Sequence, residues 1–171
     1  TELKAVNIVD GGVRSICRAT KAAGGTWIDT DAIVFAPSEG GPLYRVSLRD
    51  PTSEPVTELN AGLDETSHRW PQFLPDGRLL YSAFSRGSGE GQVYLTTLDR
   101  RARQLLLQAP GRVVYQPASG GALLYSRNGK LLSQRFDAVH SRILGQPELV
   151  APFVGYSSLD GARLFSAGPT Q

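Results

Sequence analysis

The chain has no methionine and a single cysteine, Cys17, among its 171 residues. One thiol cannot close an intramolecular disulfide, so the fold must stand on burial rather than on staples, and the redox compartment is left open. Cys17 lies in the alternating stretch Val13-Arg14-Ser15-Ile16-Cys17-Arg18, which predicts a buried strand position. Lacking methionine and opening on Thr1, the sequence is expected to be a processed or excised part of a longer protein. No apolar run approaches the ~18 residues that a membrane span needs, and no charged-then-apolar leader opens the chain.

Charge of one sign is also scarce. The 18 Lys and Arg against 16 Asp and Glu leave +2, too little to argue for a nucleic-acid surface. The densest basic stretch, Asp99-Arg100-Arg101-Ala102-Arg103, reads as a polar turn. A helix-period pattern of useful length is missing; the best candidate, Arg18 to Ala23, is short and runs into Gly24-Gly25. Turn residues, by contrast, are plentiful, with 19 Gly and 11 Pro, as many short strands require.

What fills the chain is a repeat. Ala32-Ile33-Val34-Phe35, Arg78-Leu79-Leu80-Tyr81, Ala122-Leu123-Leu124-Tyr125 and Arg163-Leu164-Phe165 are aliphatic runs that each end on an aromatic, at spacings of 46, 44 and 40 residues. A period in that range, built of β-type units, predicts the blades of a β-propeller. The clearest unit starts with a first strand at Arg69 to Phe73 and turns at Leu74-Pro75-Asp76-Gly77. Its second strand, Arg78 to Phe84, is apolar enough to be covered on both faces, and Gln92 to Leu98 and Arg103 to Leu107 follow as third and fourth strands. The unit before it runs from Thr26-Trp27-Ile28 through Ile33–Phe35 and Leu43–Leu48 to Pro55–Leu59. The unit after it runs from Val113-Val114-Tyr115 through Ala122–Tyr125 and Lys130–Phe136 to Glu148-Leu149-Val150, with a hairpin predicted at Asn128-Gly129. Residues 137–147 are longer than their counterparts and are expected to carry an extra turn.

The ends are complementary. Leu3–Val9 and Val13–Ala19 read as third and fourth strands with no first or second, and Gly155–Gly161 with Arg163–Phe165 read as first and second with no third or fourth. The expected fold is therefore an all-β propeller of four-stranded antiparallel blades, with three complete blades and two half-blades. The expected boundaries are a half-blade at 1–20, blades at 24–60, 66–108 and 112–151, and a half-blade at 153–168. The halves would pair either within one chain or between two, and in the second case a homodimer forms an eight-bladed ring.

Trp70-Pro71-Gln72-Phe73-Leu74-Pro75-Asp76-Gly77, followed by Gln92-Val93-Tyr94-Leu95, resembles the TolB-type propeller repeat. The stretch from Ile33-Val34-Phe35-Ala36-Pro37 through Leu43-Tyr44-Arg45-Val46, continued by Asp64-Glu65-Thr66-Ser67-His68-Arg69-Trp70-Pro71, is similar to propeller regions appended to bacterial serine/threonine kinases. The full motif occurs once, in the second unit. The resemblance implies a non-enzymatic recognition or sensing role for a protein or peptide partner, and a place outside the cytoplasm, periplasmic or extracytoplasmic. Kinase signatures are absent from this stretch of sequence.

The chemistry-bearing residues are few. Asp64, Glu65, His68 and Arg69 form the densest polar cluster and precede the predicted first strand, where propeller loops line a rim, so they are the candidate partner or ligand rim. The preferred reading of the same groups is structural: they tie neighbouring blades by hydrogen bonds and ion pairs. Trp27 and Trp70 open successive units and are expected to pack between blades, as structural repeat positions alongside Phe35, Phe73, Asp76, Gly77, Tyr81, Tyr125 and Phe165. No serine sits in Gly-x-Ser-x-Gly, and Gly87-x-Gly89-x-Gly91 leads into a strand pattern rather than a nucleotide-binding helix. No catalytic residue, metal ligand or cofactor is assigned. The rival function, a metal-dependent lyase or lactonase on a propeller scaffold, would have to draw on the same polar cluster.

Overall fold

The computed structural model describes residues 1–99, 102–155 and 165–167, with Ser119 described by its backbone alone. Three four-stranded antiparallel sheets follow one another along the chain, each in simple up-and-down order. The first blade comprises β3 (Gly25–Trp27), β4 (Ala32–Phe35), β5 (Tyr44–Ser47) and β6 (Glu54–Pro55). The second comprises β7 (Glu65–Phe73), β8 (Leu79–Ser85), β9 (Gly91–Thr96) and β10 (Arg103–Ala109), and the third β11 (Val113–Gln116), β12 (Ala122–Arg127), β13 (Lys130–Asp137) and β14 (Arg142–Ala151). Ahead of them, β1 (Glu2–Val6) pairs with β2 (Val13–Arg18) as a two-stranded sheet. Among the described residues no helix is long and apolar enough to cross a membrane.

The blades stack through the period-2 alternation of their second strands. In β4, Ile33 and Phe35 pack with Ile16 and Ala19 beside the two-stranded sheet, whereas Val34, with Ala36 just past the strand, packs on Leu79, Tyr81 and Ala83 of β8. In β8, Leu80 turns the other way and joins Val93, Leu95, Tyr115, Leu123, Tyr125 and Phe136 between the second and third blades. Successive side chains of one strand thus serve two different cores, and so every residue from Leu79 to Ala83 is buried.

Backbone geometry accounts for the turns. Asn128 and Gly129 have φ of 53° and 74°, the two left-handed positions of a type I′ hairpin, as predicted. Gly24 (φ +95°) lies against the next blade, where a Cβ would stand 3.0 Å from the Cα of Trp70. The Trp70 N–H donates to the Ala23 carbonyl at 2.8 Å, so the chain is joined there backbone to backbone.

Several expectations need correction. The strand predicted at Pro55–Leu59 is confined to Glu54–Pro55, although the Val56 N–H still bonds the Leu43 carbonyl at 2.8 Å. β7 begins at Glu65, four residues before the predicted Arg69, because the preceding loop closes at Asn60: the Asn60 N–H donates to the Glu65 carboxylate at 2.7 Å, and the Glu65 N–H returns to the Asn60 carbonyl at 3.2 Å. The long 137–147 segment makes its turn at 138–141, and the remainder lengthens β14, which starts at Arg142 and bulges past β13. Trp27 is 51% exposed rather than packed between blades. It lies opposite Ile33 on the face turned toward β1 and β2, and among the described residues that two-stranded sheet has no inner strands to cover it. Phe165 is half-buried and in no strand, and the rest of the predicted first and second strands at 156–164 lies outside the described residues.

Candidate functional site

The four residues of the expected rim separate. Asp64 is exposed, at a left-handed φ of 49°, where it ends the short turn Ala61–Leu63 that Asn60 caps. Arg69 is half-buried and reaches back to the first blade, donating to the Glu39 carbonyl at 2.8 Å. Glu65 and His68 are inside the molecule, with side chains 1% and 0% exposed. Asn60 and Gly62 give the local reason: they close a tight loop that turns Glu65 inward at the start of β7.

His68 begins a row that crosses every strand of the second blade. Its ring lies 4.8 Å from that of Tyr81 on β8, Tyr81 stacks on Tyr94 of β9 at 5.8 Å, and the Arg103 guanidinium of β10 lies 4.1 Å above the Tyr94 ring. Glu65 closes the row, with one oxygen 2.8 Å from an Arg103 nitrogen and the other 3.0 Å from its neighbour. The first blade enters through Thr57, whose hydroxyl lies 2.8 Å from His68 Nδ1, while His68 Nε2 is 3.2 Å from the Glu65 carboxylate. The Leu43 N–H donates to the same Thr57 oxygen at 2.8 Å. These partners fix a neutral imidazole that carries its proton on Nε2, donates to Glu65 and accepts from Thr57.

The electrostatics follow from the geometry. Burial works against ionising Glu65, but hydrogen bonds from Arg103, the Asn60 N–H and His68 outweigh it, and the carboxyl stays below its ordinary range. Burial lowers the His68 value and the Arg103 charge adds to this, against the opposing pull of Glu65, so the ring is held neutral below its usual 6.5. Burial likewise raises the Tyr81 hydroxyl. A cavity of about 110 Å³ opens beside the row, between Thr57 and Glu58 of the first blade and Tyr81, Thr96 and Arg103 of the second.

Hydroxyl, imidazole and carboxylate in this order have the composition of a nucleophile relay. Here the hydroxyl oxygen already holds the Leu43 N–H and the carboxylate is neutralised by Arg103, so the three groups are engaged in holding one blade on the next. Thr57 and Arg103 had no signal in the sequence, because only the register across four strands brings Arg103 beside Tyr94 and Glu65. The second histidine is remote from this row: His140 is exposed and pairs with Asp137 at 2.7 Å in the third blade. Among the described residues no group of three or more His, Cys, Asp or Glu side chains is placed to hold a metal ion.

No protein-family model and no curated protein matches the chain. Solved structures do. A regucalcin from Agrobacterium tumefaciens, a calcium-binding protein, is 15% identical with a TM-score of 0.63 over 86% of this chain and 51% of its own. An oligogalacturonate lyase in complex with manganese is 13% identical at a TM-score of 0.61, over 93% of this chain and 48% of its own. The β-propeller domain of the Trilobed protease from Pyrococcus furiosus, which has an open velcro topology, is 8% identical at 0.55, over 79% and 44%. At such identities the likeness shows the fold, a β-propeller, and this chain spans about half the length of the structures it matches.

Proposed function

We propose that the chain is a non-enzymatic recognition or sensing module on a TolB-like propeller framework, of the kind appended to bacterial serine/threonine kinases outside the cytoplasm. Its loops, with exposed Asp64 among them, would meet a protein or peptide partner. The observation that carries this reading is the use made of the densest polar cluster: Glu65 and His68 are buried and bonded to Thr57, Asn60 and Arg103. The metal-dependent lyase or lactonase reading takes its support from the calcium and manganese named for two of the structural neighbours. A thermal-shift titration with Ca²⁺, Mn²⁺ and Zn²⁺ separates the two. The recognition module is expected to keep its Tm unchanged at millimolar metal, whereas a saturable rise of several degrees with any of the ions would replace it by the metal enzyme.

A second reading, a two-chain ring, rests on the complementary half-blades expected at the two ends of the sequence. Among the described residues the β1–β2 sheet has two strands where every other blade has four, and Trp27 stands half-exposed beside it. The inner strands of that blade, expected at 153–168, would come from the same chain or, in the two-chain ring, from a second copy. Light scattering over a dilution series is expected to show a dimer dissociating at low concentration, and a monomer at every concentration would remove this reading.

A further inference from the structure

We propose that the contact of Thr57 with His68 and Glu65 is an acid-sensitive latch between the first and second blades, a property independent of what the rim binds. Beside the apolar core of Val34, Ala36, Leu79, Tyr81 and Ala83, the first blade is held on the second by a short hydrogen-bonded seam. The Gly41 N–H donates to the Thr66 carbonyl at 2.9 Å, the His68 N–H to the Gly41 carbonyl at 2.9 Å, and the Trp70 N–H to the Ala23 carbonyl at 2.8 Å. At the buried end of this seam, Thr57 and His68 make a side-chain-to-side-chain hydrogen bond across it.

With the hydroxyl donating to Nδ1, the pair as it stands takes a neutral ring. Nε2 keeps its proton on Glu65, so a second proton must enter at Nδ1, facing the Thr57 hydroxyl hydrogen. The hydroxyl would have to turn its hydrogen away from Nδ1, leaving that hydrogen to find another acceptor, while its oxygen, which already accepts the Leu43 N–H, takes the Nδ1–H on its second lone pair. The groups facing the imidazole are Glu65 on its own strand, Thr57 of the first blade, the Tyr81 ring of β8 and, through Glu65, Arg103 of β10; exposed Glu58 borders the adjoining cavity. Arg103 already neutralises Glu65, so a protonated His68 leaves a net positive charge at the buried end of the row.

The sign is the same for both acids. The folded His68 value lies below the unfolded one, so the unfolded or opened seam binds the extra proton, and the seam weakens as pH falls below about 6.5. The folded Glu65 value is also depressed, and its contribution is lost at lower pH, below the ordinary carboxylate range. His68 therefore acts first.

The test is site-resolved amide exchange, corrected for intrinsic rates, between about pH 7.5 and about pH 5, together with an NMR titration of the His68 ring. Protection at Gly41, His68 and Trp70 is expected to fall ~tenfold or more, with a midpoint that follows the His68 titration, while the Tyr115 amide between the second and third blades keeps its protection. The substitution His68→Gln is expected to flatten the pH dependence, and His140→Gln to leave it as in the wild type. Unchanged protection down to pH 5, a parallel loss at Tyr115, or a midpoint unrelated to His68 would each overturn the proposal. These readings come from the wild-type protein, so they stand even if His68→Gln fails to fold.

Discussion

Phe136→Ala is expected to destabilise the protein by about 3–5 kcal/mol. Phe136 is fully buried at the junction of the second and third blades, edge-on to Tyr115 at 5.9 Å. It shares one core with Leu80, Leu123 and Tyr125. Its N–H donates to the Gly121 carbonyl at 3.0 Å, so the backbone beneath it is fixed and the void has little room to collapse. Urea unfolding followed by circular dichroism should show the midpoint falling with an unchanged slope. A loss under about 1 kcal/mol would mean that the two blades do not depend on this core.

The second large effect belongs to Glu65. Replacing it by alanine leaves the Arg103 guanidinium, the His68 Nε2–H and the Asn60 N–H without their acceptor in a buried setting. Removing one member of a buried ion pair costs about 3–5 kcal/mol. The lower end is expected here, because the Arg103 side chain is 21% exposed and retains some access to water. The loss should come from the second blade and its seam with the first, the elements that the carboxylate joins.

Much of this architecture is written locally. The apolar runs Ile33–Phe35 and Leu79–Tyr81 predict strands covered on both faces, and the cores on either side of β4 and β8 show why no polar position interrupts them. Asn128-Gly129 specifies its hairpin through conformations that few other dipeptides accept. The polar cluster was visible as a cluster but not as to its place. Asp64, Glu65, His68 and Arg69 read together as a loop, yet the Asn60–Glu65 closure sets the strand start and sends two of the four inward. Trp27 shows the converse. Its residue type predicts burial, but its exposure depends on which strands of the neighbouring sheet stand opposite it, and no local pattern encodes that. Thr57 and Arg103 belong to the site only through tertiary register.

The claim that Glu65 and His68 are interior framework, and not part of a solvent-facing rim, is tested most directly by a double-mutant cycle on Glu65→Ala and Arg103→Met, read by urea unfolding. A buried, coupled pair predicts an interaction energy of about 2 kcal/mol or more, with the double variant far less destabilised than the sum of the singles. An interaction energy near zero, as found for exposed ion pairs of about 0–1 kcal/mol, would contradict it and return Glu65 to the surface.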